Sequence, residues 1–392
     1  MNGPLLVINA GSSSLKFQAF ELAAPTMPDA APRRVLRGQI ERLGSDAPSF
    51  SVHGASGPIA GRVLGAGDDP LGMLLDWLGE HGGGAPCAVG HRVVHGGAKR
   101  RGPALVDAAL LAELDALVPL APLHQPHNLD PIRRLRAHSP ALPQVACFDT
   151  AFHRDHPEIA DRFALPEELY AQGVRRYGFH GLSYAWIARR FAAMAPALAA
   201  GRLIAAHLGS GCSACAMVGG RSVDSTMGFT ALDGLVMGTR PGQLDAGVVL
   251  YLMERGMDAA SIEHLLYHES GLKALSGISG DVRDLRADGG ARAQLALDVF
   301  AYRAAAAFAA LASAMGGVDA VIFTAGIGEN DAALRAAIAA RCAWFGLVLD
   351  AERNAVHGPL ISAADSRVAA YVIPTDEEAT IARETLAVLA AR

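Results

Sequence analysis

The apolar positions of this chain come in short runs, each closed by glycines and small hydroxyl residues. Leu5, Leu6, Val7 and Ile8 predict a buried strand, Gly11 with three serines cannot continue it, and residues 15–20 resume an extended pattern. The segment predicts a strand, tight turn, strand hairpin. The device recurs at residues 203–208, followed by Gly209, Ser210, Gly211, Cys212 and Ser213, the apolar residues 214–218 and a Gly219-Gly220 turn. Two such units in one chain predict an internal duplication. A third piece, residues 318–330, reads as a strand and a Gly-x-Gly turn, with Asn330 or Asp331 placed to cap the next helix.

The first segment is β-rich to about residue 66, with Gly/Pro/Ser-rich stretches at 24–33 and 44–68 that predict surface connections. Residues 71–81 and 104–118 carry helical spacing. Between them, residues 88–97 predict a strand ending in a glycine turn, which puts Arg92 near that turn. A further strand over 144–148 runs into Asp149 and Thr150, and polar residues at strand ends are where open α/β sheets place their sites. At 392 residues the chain exceeds one ordinary core, so two domains are expected, 1–150 and 151–379, with the C-terminal helix 380–392 joining the first.

Composition narrows the function. Net charge is −5, and Lys and Arg come only in short runs, which excludes a nucleic-acid footprint or a polybasic membrane patch. The N-terminal apolar run has no basic segment before it, and the apolar stretch 304–315 is too short to span a bilayer, so a cytoplasmic protein is expected. Five cysteines do not make a disulfide framework. Cys212 and Cys215, spaced C-x-x-C inside a glycine-rich turn, read as packing residues. His91 and His95 lie on a strand with no Glu to complete a zinc site.

The chemistry that remains is anion binding. A tight turn aligns backbone N–H groups into a concavity, and the Ser12 and Ser14 hydroxyls and the Lys16 ammonium add the donors phosphate requires. Three glycine turns, each after a buried strand, point to a nucleotide.

The motif series carries a resemblance across nearly the whole chain: residues 9–16, 90–97, 121–124, 148–153, 176–181, 227–230, 237–240, 323–330 and 374–378, in order. It resembles the acetate kinases, the acetokinase family of the acetate and sugar kinase, heat-shock chaperone and actin superfamily. The resemblance implies an α/β fold of two duplicated actin-like (ribonuclease H-like) domains with a central nucleotide cleft, Mg2+ or Mn2+ with ATP/ADP, and a homodimer. The implied reaction is reversible phosphoryl transfer from ATP to acetate. Propionate or another short-chain carboxylate is the alternative acceptor. A sugar or alcohol kinase would need a true base, and an actin-like or chaperone-like ATPase would need no carboxylate clamp.

By that resemblance Arg92 and Arg240 are the arginine pair, His180 the transition-state stabiliser and Asp149 the acid/base position. A carboxylate acceptor is already ionised, so the chemistry suggests that Asp149 instead orients an arginine or a metal-bound water. Asn9 and Glu377 match the metal positions. His207, Leu208, Gly209, Ser210 and Gly211, then Asp281, Val282 and Arg283, then Gly326, Ile327, Gly328, Glu329 and Asn330 match the nucleotide segments, together with Ser12, Ser14 and Lys16. The acyl pocket comprises Arg92, Val94, Leu123, Phe179 and Ala231. Two positions depart from the family's pattern: Ser210 replaces an Asn, and Ala231 replaces a Pro, leaving extra room in which propionate is expected to be accepted well.

Overall fold

The computed structural model describes residues 3–11, 14–22, 32–43, 48–54, 57–65, 69–81 and 84–391. Ser12 and parts of the stretches 24–33 and 44–68 lie outside them. The chain divides into two units, Met1–Arg154 with Asp376–Arg392, and Asp155–Thr375.

The first unit holds an eight-stranded sheet in the order β5-β4-β3-β2-β1-β6-β8-β7. Its strands are β1 Leu5–Ala10, β2 Ser14–Phe20, β3 Arg34–Glu41, β4 Ser49–Gly54, β5 Gly57–Val63, β6 Ala88–Val93, β7 Ala104–Leu105 and β8 Gln144–Phe148. β1 and β2 form the antiparallel hairpin, while β6 lies parallel to both β1 and β8. On β2, Leu15, Phe17 and Ala19 alternate into a core with Leu71, Leu74 and Leu78 of the helix Pro70–His81, leaving Lys16 and Gln18 on the other face. β1 is buried nearly throughout, as an apolar run between two layers must be.

Two segments differ from their sequence pattern. The stretch 44–68 is not simply a connection, because β4 and β5 pair within it and Phe50 and Val52 reach the core. Over 104–118 the chain first adds Ala104–Leu105 to the sheet edge. The helix begins only at Ala108, where the Asp107 carboxylate accepts the Leu110 N–H at 2.7 Å.

The second unit carries a five-stranded sheet, β11-β10-β9-β12-β13, built from β9 Arg202–Leu208, β10 Cys212–Val218, β11 Arg221–Ser225, β12 Ala320–Thr324 and β13 Ala369–Val372. This order, with β9 antiparallel to β10 and parallel to β12, repeats β3-β2-β1-β6-β8 of the first unit. Each hairpin is also closed at a glycine, over different spans: Gly11 N–H bonds the Ser14 carbonyl at 2.8 Å, and Gly209 N–H bonds the Gly211 carbonyl at 3.1 Å. The duplication is therefore one of topology.

The third glycine cluster is not a turn. Gly326 and Gly328 lie inside the short helix Ala325–Asn330, which starts directly at the end of β12 with Ala325 at φ 65°. Asp331, not Asn330, caps the next helix, Ala332–Cys342, by accepting the Leu334 N–H. The apolar stretch 304–315 belongs to the longer helix Ala291–Ala314, the one among the described residues long and apolar enough to cross a membrane. Half of its apolar window is packed inside the unit, with Leu297, Phe300, Phe308 and Leu311 buried. Cys212 and Cys215 are unpaired and buried on β10, and burial pushes the Cys212 thiol up to about 12.

Candidate active site

In the first unit, three parallel strands end side by side and deliver Asn9, Arg92 and Asp149 to one edge of the sheet. Gly90 and Arg92 share a face of β6, and the missing side chain at Gly90 lets the helix Glu377–Ala390 lie against the strand beside Ile381 and Thr385. That contact brings the helix start to Arg92. Asp376 caps the helix by accepting the Ala379 N–H, so Glu377 and Glu378 occupy its first turn.

The contacts are specific. The buried Asp149 carboxylate accepts from Arg92 Nε at 3.1 Å and from Nη2 at 2.6 Å. Arg92 Nη1 donates to Asn9 Oδ1 at 3.3 Å, Asn9 Nδ2 donates to Glu378 Oε1 at 3.4 Å, and Glu377 Oε2 stands 3.9 Å from Arg92 Nε. Burial works against the Arg92 charge, but Asp149, Glu377 and Glu378 outweigh it and hold the guanidinium above its ordinary value. Glu377 is pushed up to about 7, first by burial, with Asp149 and Glu378 adding to it against the pull of Arg92 and Lys16. Among the described residues no three acidic, His or Cys side chains are grouped closely enough to hold a metal by themselves; Glu377 and Glu378, with the Asn9 amide, supply oxygen donors of the kind a hard cation such as Mg2+ takes alongside phosphate and water.

Lys16 is exposed on β2 directly across from Asn9, and Ser14 is half-buried at the start of the same strand. Val94 is buried just beyond β6, and Leu123 is half-buried before the helix Gln125–His138. Asn128 of that helix holds both strand ends, accepting the Val94 N–H at 2.9 Å and donating to the Ala10 carbonyl at 2.6 Å.

In the second unit a different group forms around Gly211. A Cβ there would stand 3.4 Å from His180 Nε2 and 3.6 Å from Arg240 Nη2, so both side chains converge on the β9–β10 turn. His180 precedes the helix Gly181–Met194 at φ 58°, a left-handed conformation costing a non-glycine residue roughly 1 kcal/mol, and Phe179 is buried beside it. Its ring stacks on His207 with centroids 4.1 Å apart. Arg240 Nη1 donates to the Ala231 carbonyl at 2.9 Å. The turn bearing Arg240 is closed by Met237 N–H to the Arg240 carbonyl, and Gly271, at φ 64°, passes against it where any side chain would strike the Met237 carbonyl.

The three nucleotide-type segments come together at the ends of β9 and β12. Gly328 packs on Ala206 and Leu208, placing 326–330 beside 207–211. Arg286 pairs with Asp331 at 3.1 Å, tying the helix Val282–Asp288 to the same place. Ser210 is exposed and its carbonyl accepts the Gly238 N–H. Asp281 and Arg283 bond each other at the surface. Glu329 Oε1 accepts the Ala325 and Thr375 N–H groups, and Asn330 Nδ2 donates to the Gly326 carbonyl.

The residue pattern did not single out Glu378, Asn128 or Arg335. Glu378 adjoins a candidate and could have been found by asking which acid shares its helix turn. Arg335, fully buried, donates to the Gly328 and Glu329 carbonyls and to Asn354, and read along the chain it is an ordinary helix arginine.

The model of the acetokinase family matches residues 4–383. The chain is 53% identical to the acetate kinase of Nitrobacter hamburgensis, over 98% of this chain and 96% of that one, and 50% identical to that of Rhodopseudomonas palustris over 98% of each. Among solved structures it resembles the acetate kinase of Porphyromonas gingivalis (35% identity, TM-score 0.88, 99% of this chain and 100% of that one). It also resembles a propionate kinase from Francisella tularensis (36% identity, TM-score 0.92, 98% and 100%).

Proposed function

The chain belongs to the acetokinase family, and we propose that it transfers a phosphoryl group reversibly from ATP to acetate, giving acetyl phosphate and ADP. One observation carries this reading. Asp149 and Asn9 take three of the five N–H donors of Arg92, which leaves one on each terminal nitrogen for the two oxygens of a small carboxylate.

The acceptor is ionised at neutral pH, so the enzyme supplies alignment and charge stabilisation rather than a strong base. Asp149 orients Arg92. Arg240 and His180 supply donors for the oxygens of the transferring phosphoryl group. Ser12, Ser14 and Lys16, with segments 207–211, 281–283 and 326–330, hold the nucleotide. Asn9 and Glu377 hold Mg2+, or Mn2+ in its place, which when bound neutralises phosphate charge. Val94, Leu123, Phe179 and Ala231 receive the acyl chain. Propionate is the second reading, favoured by the small side chain at Ala231.

The enzyme acts in the cytoplasm as a homodimer. Five unpaired cysteines suit a reducing compartment. The helix Ala246–Glu254 has no buried residue, and its Leu250, Tyr251 and Met253 are more than half exposed, an apolar surface that suits a second copy of the chain.

Hydroxylamine trapping of the acyl phosphate formed from Mg-ATP with acetate, propionate or butyrate tests the reaction. Acyl hydroxamate that depends on the added carboxylate is expected. ATP hydrolysis indifferent to carboxylate would replace this reading with an ATPase module.

A further inference from the structure

The two stacked imidazoles of the second unit are held by matching hydroxyl relays. His180 Nδ1 lies 2.8 Å from Ser213 Oγ, which is also bonded to the Tyr184 phenol. His207 Nδ1 lies 2.9 Å from Ser183 Oγ, which in turn lies 2.8 Å from Thr375 Oγ1. Ser213 and Tyr184 are both fully buried.

Either oxygen of the Tyr184–Ser213 pair can be the donor, and the backbone contact decides the assignment: the phenol oxygen of Tyr184 accepts at His207, so its own hydrogen is assigned to Ser213. Ser213, accepting from Tyr184, must place its single hydrogen on His180 Nδ1, since a buried hydroxyl hydrogen left without an acceptor is costly. Nδ1 is then the acceptor, and the ring proton of the neutral imidazole sits on Nε2. Nε2 is the nitrogen turned toward Gly211 and Arg240.

We infer that Ser213, backed by Tyr184, is a positioning residue that fixes His180 in its Nε2–H tautomer. His180 then presents a fixed N–H donor beside the Arg240 guanidinium without having to carry a charge. The stack on His207, with ring planes 17° apart, fixes the plane in which that donor points. The inference deepens the proposed role of His180 in phosphoryl transfer and rests on it for its catalytic consequence, but the tautomer can be measured separately.

The experiment uses the full chain with 15N-labelled histidine, the His180 signals being assigned by their loss in His180→Gln. The wild type is expected to show a pyridine-type Nδ1 and a pyrrole-type Nε2. Ser213→Ala should give a tautomer mixture and lower kcat about tenfold, the scale of one hydrogen bond, while KM for ATP stays within about twofold. Tyr184→Phe keeps the ring packing and should loosen the tautomer in the same direction with a smaller loss of kcat. A pyrrole-type Nδ1 in the wild type overturns the inference, as does an unchanged tautomer in both variants. If His180→Gln retains wild-type kcat, the catalytic role of His180 fails while the tautomer result stands.

Discussion

The Asp149 carboxylate spans Nε and Nη2 of Arg92 from the end of the neighbouring parallel strand, fixing which edge of the guanidinium remains for a ligand. Replacing Asp149 by Asn keeps the shape but removes the charge that aligns Arg92. The expected result is a loss of kcat of about 10²–10³-fold, the range for misplacing one stabilising donor, at every pH from neutral to alkaline. A pH–rate profile checks this. Recovery of wild-type rate at alkaline pH would mean that Asp149 titrates as a base.

Gly90 sets the distance between β6 and the helix Glu377–Ala390. An added Cβ would stand 2.3 Å from Thr385 Oγ1 and 2.8 Å from Ile381 Cγ2. Gly90→Ala should therefore cost about 1–3 kcal/mol by overpacking and raise KM for Mg-ATP as Glu377 is displaced. Gly79, in the helix Pro70–His81 with open space around it, is the control. Gly79→Ala should stabilise by about 1 kcal/mol in denaturant unfolding and leave kinetics unchanged.

Two buried histidines make the first unit acid-sensitive. Burial lowers His91 to about 4 and His95 to about 3, with Gln144 pulling against the first effect and Arg154 adding to the second. Both groups bind protons more readily unfolded, near pH 6.5, than folded. Stability is therefore complete above pH 6.5 and declines as pH falls toward 4, by about 2 kcal/mol per histidine at pH 5. Urea midpoints at pH 7 and pH 5 should differ accordingly, and His91→Gln should narrow that difference. A flat profile in the wild type would contradict it.

The acyl-pocket role proposed for Ala231 makes a prediction about substrate size. Restoring the proline of the family pattern should lower kcat/KM for propionate relative to acetate, on the scale of about 1–3 kcal/mol per methylene. Comparing the two substrates in Ala231→Pro checks this. A ratio that does not fall removes the extra room from the account.

Arg335 holds the end of the helix Ala325–Asn330 through the Gly328 and Glu329 carbonyls. Lysine keeps the charge but cannot reproduce the planar fork. Arg335→Lys should destabilise by roughly 2–4 kcal/mol and raise KM for ATP with little change in kcat, as measured by thermal unfolding and steady-state kinetics.

The hairpins Leu5–Phe20 and 203–218 were legible because they are local. An apolar run closed by glycine and serine leaves the backbone few choices, and Gly211 follows as a residue of the second turn, while Arg92 and Asp149 follow from the ends of the separate strands 88–93 and 144–148. The same pattern misread 44–68, where glycine-rich composition concealed two strands whose alternating Phe50 and Val52 needed an existing sheet to pair with. It also misread 326–330, since the Gly-x-Gly of a turn and that of a short helix look alike until β12 fixes where the helix begins.

What sequence by itself determined is therefore the two hairpins, the strand before the third glycine cluster, the duplicated topology and the residue types suited to a phosphoryl transfer between ATP and a carboxylate. Tertiary structure alone decided which groups face one another. It joined Asp149 to Arg92, Glu378 to Asn9, Asn128 to Ala10, Ser213 to His180 and Arg335 to Gly328. Most of those pairings cross tens to hundreds of residues, and even the short Arg335–Gly328 link depends on the break at Asp331 between two helices, which periodicity does not describe. The physical reason is that hydrophobic spacing encodes which face of an element is buried, whereas the orientation of a charge or a ring proton is set by partners that meet only when the elements have packed.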